Sequence, residues 1–321
     1  MKIVKNEKDL NLKMPVLGSE EYLKIKSPVY GWIVDENFIL PFFLDKRLVF
    51  TRMVFTNEPI AKKDNLTIEN EKKILNEMVE FVRKQKICDF IYKAQSNVVF
   101  NTCPEGAECV EWGTYLKDIQ MNDEELLMSF HSKHRNVIRK ALKEGVEIKV
   151  TDNVDVIYEN IKETLKRQNS IHYPSKDYLK KLAALKENAL FLTAEYKRKI
   201  QGSAVIIYDK NRAYYMYGGS IQRPFGGSVN LLQYEAMKIL RDKGVKKYDF
   251  VGARINPPKN SKYEGIQRFK QRFGAELKEG YAFRYVYKPF KFKMFNLISK
   301  LYLKSKGYDY IDPIDSIKGS K

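Results

Sequence analysis

The chain has 321 residues, of which 44% are hydrophobic, enough to bury one large core or two ordinary cores. Its 58 Lys and Arg residues outnumber 40 Asp and Glu residues, and the formal net charge of +18 attracts polyanions such as nucleic acid, anionic lipid or pyrophosphate. No window contains the run of about 18 apolar residues that spans a bilayer, and the charged N-terminus lacks the apolar core of a secretion signal. We therefore expect a cytoplasmic protein.

The cysteines and histidines predict neither a disulfide framework nor a metal site. Cys88, Cys103 and Cys109 are odd in number and lack Cys-x-x-Cys spacing, so we expect all three to be reduced. His131 and His134 can share a helix face at i, i+3, but no carboxylate or thiolate accompanies them.

A basic helix is predicted from Ser132 to Glu144. Its apolar face comprises Val137, Ile138, Ala141 and Leu142. A cationic stripe at spacing i, i+4, i+8 consists of Arg135, Arg139 and Lys143. We expect this stripe either to bind phosphate groups of tRNA or another nucleotide, or to be a solvated outer face.

Residues 212–251 predict a strand, a glycine-rich loop, a helix and a second strand. Side chains of a strand alternate between its two faces. One face is expected to carry Ala213, Tyr215 and Tyr217, and the other Tyr214 and Met216. From Val229 the apolar residues recur at helical spacing until Gly244, and the next strand covers residues 248–251.

The loop between that first strand and the helix predicts an anion site. A strand, a glycine-containing loop and a helix N-terminus direct backbone N–H groups and the positive end of the helix dipole to one place. The spacing Arg223-x-x-Gly226-Gly227-Ser228 approximates the (Gln/Arg)-x-x-Gly-x-(Gly/Ala) pyrophosphate loop of GNAT acyltransferases, with Ser in the last position. We expect Arg223, Gly226 and Gly227 to bind the phosphates of a donor substrate.

The C-terminal segment from Lys288 to Lys304 combines aromatic, aliphatic and basic residues. Its apolar residues recur at the spacing of a helix face and are surrounded by lysines. These apolar residues are Phe295, Ile298, Leu301 and Tyr302. Such a segment suits peripheral contact with an anionic membrane surface, or a terminal helix that packs on the first domain with its lysines extended to solvent.

Four segments occur in a fixed order: Tyr215-Met-Tyr-Gly-Gly-Ser220, Leu231-Leu-Gln-Tyr-Glu-Ala236, Tyr248-Asp-Phe-x-Gly252 and Gly265-x-x-Arg-Phe-Lys-x-x-Phe-Gly274. Together they resemble the Fem family of aminoacyl-tRNA-dependent peptidoglycan transferases. The ordered match runs from about residue 129 to residue 291, and the basic helix upstream is similar to one in that family. Residues 1–110 match loosely, in Pro28-Val-Tyr-Gly-Trp32 and a strand that ends in Leu40-Pro41-Phe42.

The resemblance implies an α/β fold of two tandem GNAT-like domains, each a mixed sheet flanked by helices. Residues 1–119 with 286–321 are expected to form the first domain, and residues 120–285 the second. No heptad-patterned stretch is present for the long helical insertion of some Fem enzymes, so a compact form is expected.

The implied activity is transfer of an amino acid from aminoacyl-tRNA to a UDP-linked or lipid-linked muropeptide, with no cofactor. The sequence has no Gly-x-Ser-x-Gly segment and no assignable Ser-His-Asp or Cys-His set, which favours direct acyl transfer without a covalent nucleophile. Two alternatives stay open. One is an acyl-CoA-dependent N-acyltransferase acting on a sugar nucleotide or envelope polysaccharide, and the other is an inactive RNA- or membrane-binding protein.

The resemblance also implies site residues. Phe269 and Lys270 match the family's Phe-Lys pair, whose lysine stabilises the oxyanion near the donor's terminal adenosine. Arg167 and Tyr217 match residues that contact acceptor phosphates, and we expect them to line one cleft with Lys270. Further pocket residues are expected to be Tyr173, Tyr178 and Tyr215. The alternatives are a Glu163–Arg167 ion pair within one helix and a strand tyrosine that caps the core.

Overall fold

A computed structural model describes residues 1–63, 66–170 and 173–319. Its strands are β1 (Lys2–Val4), β2 (Tyr30–Val34), β3 (Phe38–Arg47), β4 (Phe50–Phe55), β5 (Ile60–Ala61), β6 (Phe90–Ile91), β7 (Glu108–Asp118), β8 (Glu147–Val150), β9 (Ala189–Tyr196), β10 (Lys199–Tyr208), β11 (Arg212–Ser220), β12 (Lys247–Asp249), β13 (Ala253–Arg254) and β14 (Glu276–Val286). Its helices are α1 (Glu20–Lys26), α2 (Ile68–Lys84), α3 (Asp123–Met128), α4 (Ser132–Lys143), α5 (Val154–Arg167), α6 (Lys176–Ala183), α7 (Ser228–Asp242), α8 (Lys262–Gln271), α9 (Pro289–Lys304) and α10 (Pro313–Lys318).

The chain divides into two compact units. Unit 1 contains Met1–Thr114, Gly252–Glu264 and Lys278–Lys321, and unit 2 contains Tyr115–Val251 and Gly265–Leu277. Both units combine a mixed sheet with helices, which confirms the predicted α/β fold class. Unit 1 includes residues 252–264 and 278–285, which the sequence boundaries assigned to the second domain. Within the described ranges, no helix is both long and apolar enough to cross a membrane.

The sheet of unit 1 has the order β1-β2-β3-β4-β6-β14, with β5 beside β3. Its pairs are antiparallel except β4 with β6. Helix α2 is capped by Thr67, whose side chain accepts from the N–H of Asn70. The buried residues of α2 recur at helical spacing and pack into the main core of the unit. They are Ile74, Leu75, Met78, Val79 and Val82.

The last helix of unit 1 is held by a buried arginine. Arg284 in β14 is 3% exposed and is surrounded by three carboxylates. Its guanidinium lies 2.5 Å from Asp312, 3.1 Å from Asp315 and 2.7 Å from Glu108. A buried charge is tolerated only when it is paired, so these contacts position α10 beside β14.

The expectation that all three cysteines are reduced is wrong for two of them. Cys103 and Cys109 form a disulfide with Cα atoms 6.3 Å apart. The turn between them, in which the N–H of Ala107 donates to Pro104 O and Gly106 has φ of +75°, brings the two residues together. Cys88 remains a thiol, and its burial raises its pKa to about 12.

The sheet of unit 2 has the order β7-β12-β11-β10-β9-β8, in which β11 and β12 are parallel. Helices cover both faces, because successive side chains of a strand point to opposite sides. On one face Ser203 of β10 donates to Asn160 of α5. On the other face Gly202 lies against Val229 of α7.

Helix α5 packs against β11 at a glycine. A Cβ atom on Gly219 would lie 2.6 Å from the backbone carbonyl of Asn160, a distance that real Cβ atoms do not reach. Beside this contact, Thr164 Oγ1 accepts from the N–H of Ser220 at 2.7 Å and donates to its carbonyl at 2.9 Å. The close approach of α5 therefore depends on the absence of a side chain at residue 219.

We expect Gly219→Ala to lower the free energy of unfolding by about 1–3 kcal/mol, because the added methyl group forces α5 away from β11. Urea denaturation monitored by circular dichroism measures this change. Gly265→Ala is the matched control, since its added Cβ would meet no atom within 4 Å apart from its chain neighbours and the backbone of its own helix, α8. An equal loss in both variants would contradict the packing argument.

Candidate active site

Strands β11 and β12 separate at the centre of unit 2. β11 pairs with β10 from Ala213 to Ser220, but its register with β12 covers only Arg212 to Tyr214. Beyond the Tyr214–Asp249 pair the two parallel strands part in the described structure. Part of the main chain of β11 past Tyr214 is therefore open to polar groups of a substrate at the carboxyl ends of these strands.

A β-bulge at Met216 changes which side chains share a face of β11. Tyr215 is opposite Ile206 of β10, whereas Tyr217 is opposite Val205. Neighbours in one strand point to opposite faces, so Tyr215 and Tyr217 lie on opposite sides of the sheet. The sequence period had placed them on the same side, and one inserted residue reverses that expectation.

The two tyrosines have different surroundings. The hydroxyl of Tyr215 lies where a Cβ of residue 218 would be, so any side chain larger than that of Gly218 would displace this ring. Its ring stacks on Tyr248 with centroids 6.5 Å apart, and burial raises its pKa to about 12. Tyr217 contacts Tyr178 of α6 edge-on at 6.2 Å, and burial raises its pKa as well.

Lys270 is a buried cation next to the point where the strands part. It is 7% exposed, and its Nζ donates to the carbonyl of Val251 at 2.5 Å. Burial lowers the pKa of Lys270 to about 8, and the charge of Asp249 opposes that shift. An ammonium group with this pKa is still largely protonated near neutral pH.

The turn that holds Lys270 is strained. Val251 has φ of +40° and Gly252 has φ of +63°. A β-branched residue in the left-handed region is costly, so other contacts must hold it there. The N–H of Val251 donates to Asp249 Oδ1 at 2.8 Å, and Asp249 Oδ2 lies 3.6 Å from Arg212. Asp249 and Val251 thus position Lys270.

Phe269 and His134 pack together beside Lys270. The ring of Phe269 lies 5.4 Å from that of His134 and 5.1 Å from that of Phe273. Burial lowers the pKa of His134 to about 4, and the nearby charge of Arg272 adds to the effect. These contacts fix α8 against α4. Across the described residues, no group of three or more potential metal ligands is found.

Arg167 lies at the carboxyl end of β11. Its guanidinium donates to the carbonyl of Ser220 at 2.6 Å and forms an ion pair with Glu163 at 2.7 Å, the intrahelical pair considered above. Tyr217 shares the α5 face of the sheet with Gly219. Lys270 lies on the same face of the sheet as Tyr215. The evidence is a series of ring contacts: Phe273, just after α8, stacks on Phe250 with ring centroids 5.4 Å apart, and Phe250 in turn contacts Tyr215.

The structure therefore does not bring all the predicted site residues to one face. Arg167 and Tyr217 lie on one side, and Lys270 and Tyr215 lie on the other. Lys270 contacts Val251 just past the point where β11 leaves β12, whereas Arg167 contacts Ser220 at the carboxyl end of β11.

The predicted phosphate loop begins α7. Gly227 has φ of +92° and is the N-cap of the helix, and its missing side chain admits the carbonyl of Val137 from α4. Gly226 faces open space and Arg223 is exposed. Lys140 lies 5.8 Å above the ring of Phe225. Basic side chains thus surround a helix N-terminus that is covered on one side by α4.

The cationic stripe of α4 is divided. Arg135 donates to the carbonyls of Met128 and Phe130 and so completes the preceding turn. Arg139 and Lys143 are exposed, as is Leu142, which the sequence had placed on the apolar face. Two of the three predicted phosphate-binding residues therefore face solvent.

Comparison with known proteins gives a consistent family. The model of the FemAB family matches residues 98–200 and 187–300. A lipid II:glycine glycyltransferase of Staphylococcus haemolyticus is 34% identical over 106 residues, which cover 32% of this chain and 23% of that protein. The Staphylococcus aureus protein of the same name is 23% identical over 238 residues, which cover 52% and 56%. The chain thus spans about half the length of these relatives or less.

A solved structure extends the likeness to the fold. The crystal structure of FemX superposes with a TM-score of 0.67 at 16% sequence identity, and the match covers 92% of this chain and 99% of FemX. At this identity the likeness concerns the fold alone. Since the family model covers more than half of the sequence, the chain belongs to the FemAB family.

Proposed function

We propose that this protein transfers an amino acid from aminoacyl-tRNA to an amine of a peptidoglycan precursor peptide, as in the formation of an interpeptide bridge. Membership of the FemAB family and relatives named lipid II:glycine glycyltransferase support this assignment. The observation that carries it is the buried ammonium of Lys270, which a strained turn fixes where β11 and β12 separate.

The proposed reaction is a direct aminolysis. A neutral amine of the acceptor attacks the ester carbonyl of the donor, and a C–N bond forms as the ester C–O bond breaks. The amine loses a proton and the ribose oxygen of the tRNA gains one. Charge develops on the carbonyl oxygen in between, and the ammonium of Lys270 stabilises that oxyanion. The donor supplies its own activated ester, so the reaction needs no further cofactor.

The donor is proposed to lie on the α7 side. Arg139 and Lys143 on α4 and Arg223 before α7 present exposed cationic groups there, and the helix N-terminus at Gly226 and Gly227 adds N–H donors. These groups suit the phosphates at the 3′ end of a tRNA.

The acceptor is proposed to approach from the α5 face, where Arg167 and Tyr217 lie. A guanidinium suits the phosphates that link a muropeptide to UDP or to a lipid carrier. The gap between β11 and β12 then lets the acceptor amine reach the donor carbonyl near Lys270. This arrangement explains why the candidate residues divide between two faces.

An acyl-CoA donor is the second candidate. The open position of Gly226 at the N-terminus of α7 favours it, because a pyrophosphate binds readily at such a site. An assay with either radiolabelled aminoacyl-tRNA or acetyl-CoA, each with UDP-linked muropeptide, distinguishes the two. We expect label in the peptide only with aminoacyl-tRNA, and transfer only from acetyl-CoA would overturn the proposal.

Lys270→Met is expected to lower the single-turnover rate about a hundredfold or more, because an oxyanion donor acts chiefly in the transition state. The melting temperature should not fall, since the substitution removes a buried charge. Lys262→Met on the same helix is the matched control, because Lys262 is exposed. Retention of the rate within about twofold would remove Lys270 from the mechanism.

The pH dependence of the same pair of proteins gives a second test of Lys270. Only the protonated lysine stabilises the oxyanion, so the rate of the wild type divided by that of Lys270→Met should fall as the pH rises through about 8. Titration of the acceptor amine affects both proteins equally and cancels in this ratio. A ratio that stays constant from pH 6 to pH 10 would contradict an ammonium role.

Arg167→Ala is expected to raise the acceptor KM several-fold with little change in the rate at saturation, because a phosphate contact is present in ground and transition states alike. Glu163→Gln is the control that breaks the ion pair but keeps the guanidinium, and its KM should stay at the wild-type value. A drop in melting temperature without a change in KM would show that Arg167 only stabilises α5.

A further inference from the structure

Helix α9 is attached to unit 1 by two aromatic residues on one side. Phe292 lies 5.2 Å from the ring of Phe90, and Phe295 lies 5.3 Å from Phe90 and 5.6 Å from Phe50. At its first turn, Lys291 forms an ion pair with the buried Asp89 at 3.2 Å. These contacts fix which face of α9 is directed to solvent.

The solvent face of α9 is apolar. Phe290 is 75% exposed, Leu297 57% and Leu301 60%. Their spacing of i, i+7, i+11 places them within roughly 40° of one another around the helix. A surface helix ordinarily directs polar residues outward, so this arrangement is reversed and needs a partner. Ile298 and Tyr302 are also exposed and widen the apolar face.

The turn between β3 and β4 extends this face. Leu48 is 88% exposed and Val49 is 63% exposed, and Leu48 has φ of +52°. The Nζ of Lys291 donates to the carbonyl of Val49 at 2.7 Å, so the turn lies beside the start of α9. Two elements far apart in sequence thus present exposed apolar side chains next to each other.

Positive charge borders the apolar face. The exposed residues Lys293, Lys300 and Lys304 follow one flank of α9, and no acidic residue occurs from position 288 to position 308. Lys46 and Arg47 precede Leu48 at the turn and are also exposed. An apolar ridge with a basic flank is the composition of helices that lie in the interface of an anionic bilayer.

We propose that α9 and the β3–β4 turn form a docking surface for an anionic lipid bilayer. Leu48, Val49, Phe290, Leu297 and Leu301 enter the interface, and the lysines of α9 contact lipid phosphates. The helix lies on the membrane and does not cross it, since α9 is too short and too basic to span. A second copy of the chain fits less well, because a two-fold contact would oppose the same lysines. This surface is independent of the proposed donor and acceptor.

Vesicle flotation tests the surface with two lipid compositions. The wild type should float with vesicles of phosphatidylcholine containing phosphatidylglycerol and should not float with pure phosphatidylcholine, and binding should fall as salt rises. Absence of binding to the anionic vesicles would overturn the proposal.

Two sets of variants separate the apolar and basic contributions. The double variant Leu297→Ser with Leu301→Ser should lower binding to the vesicles at least about tenfold. The control Val150→Ser changes an equally exposed apolar residue in β8 and should bind like the wild type.

The triple variant Lys293→Gln, Lys300→Gln and Lys304→Gln should also lower binding to the vesicles at least about tenfold. The matched control removes the same charge from exposed lysines of unit 2, with Lys180→Gln, Lys243→Gln and Lys246→Gln.

Three results would contradict the docking surface. One is equal binding by the serine variant and the wild type, and another is an equal loss in the two lysine variants, which would indicate net charge alone. The third is a dimer in light scattering that the serine variant dissociates, without vesicle binding by the wild type. That outcome would assign the face to a second copy. Circular dichroism checks that each variant is folded.

Discussion

The separation of β11 from β12 after Tyr214 and Asp249 is the constraint on which the candidate site depends. Parallel strands that stay paired satisfy one another's backbone groups, whereas strands that part leave some of these groups to other partners. Here the divergence follows from two local features. The bulge at Met216 bends β11, and the turn at Val251 and Gly252 leads the chain from β12 into β13, which pairs with β7 and not with β11.

Charge at the site is controlled by burial. Lys270 loses solvent on all but a small part of its surface, which favours the neutral amine, while the neighbouring carboxylate of Asp249 favours the ammonium. The two effects leave a pKa near 8. A cation that is weakly solvated interacts more strongly with a developing negative charge than a surface lysine does. The net charge of +18 therefore says less about the proposed oxyanion stabilisation than the placement of this single side chain does.

Close contacts between backbone segments position the elements around the site. Gly219 admits α5, Gly227 admits α4, and Gly218 admits the ring of Tyr215. At each of these glycines a Cβ would collide with a neighbouring atom. The small residues of the Tyr-Met-Tyr-Gly-Gly-Ser segment are thus explained by packing, whether or not a ligand also approaches them.

The local pattern of the sequence was sufficient for three elements of unit 2, whereas the strand predicted at 248–251 ends at Asp249. The predicted strand from 212 is β11, the predicted helix from 229 is α7, and the basic helix is α4 with almost the same limits. Periodicity and helix-ending glycines act over a few residues, so a single sequence contains them. The order of motifs gave the family, which the family model supports.

Only the tertiary structure decided which side chains meet. The bulge that puts Tyr215 and Tyr217 on opposite faces depends on pairing with β10, and the burial of Lys270 depends on the turn at Val251. The exposed apolar ridge of α9 could not be distinguished from a core-packing face, because both have the same helical spacing. Burial and exposure are set by segments distant in the chain, and these contacts leave no signal in local periodicity.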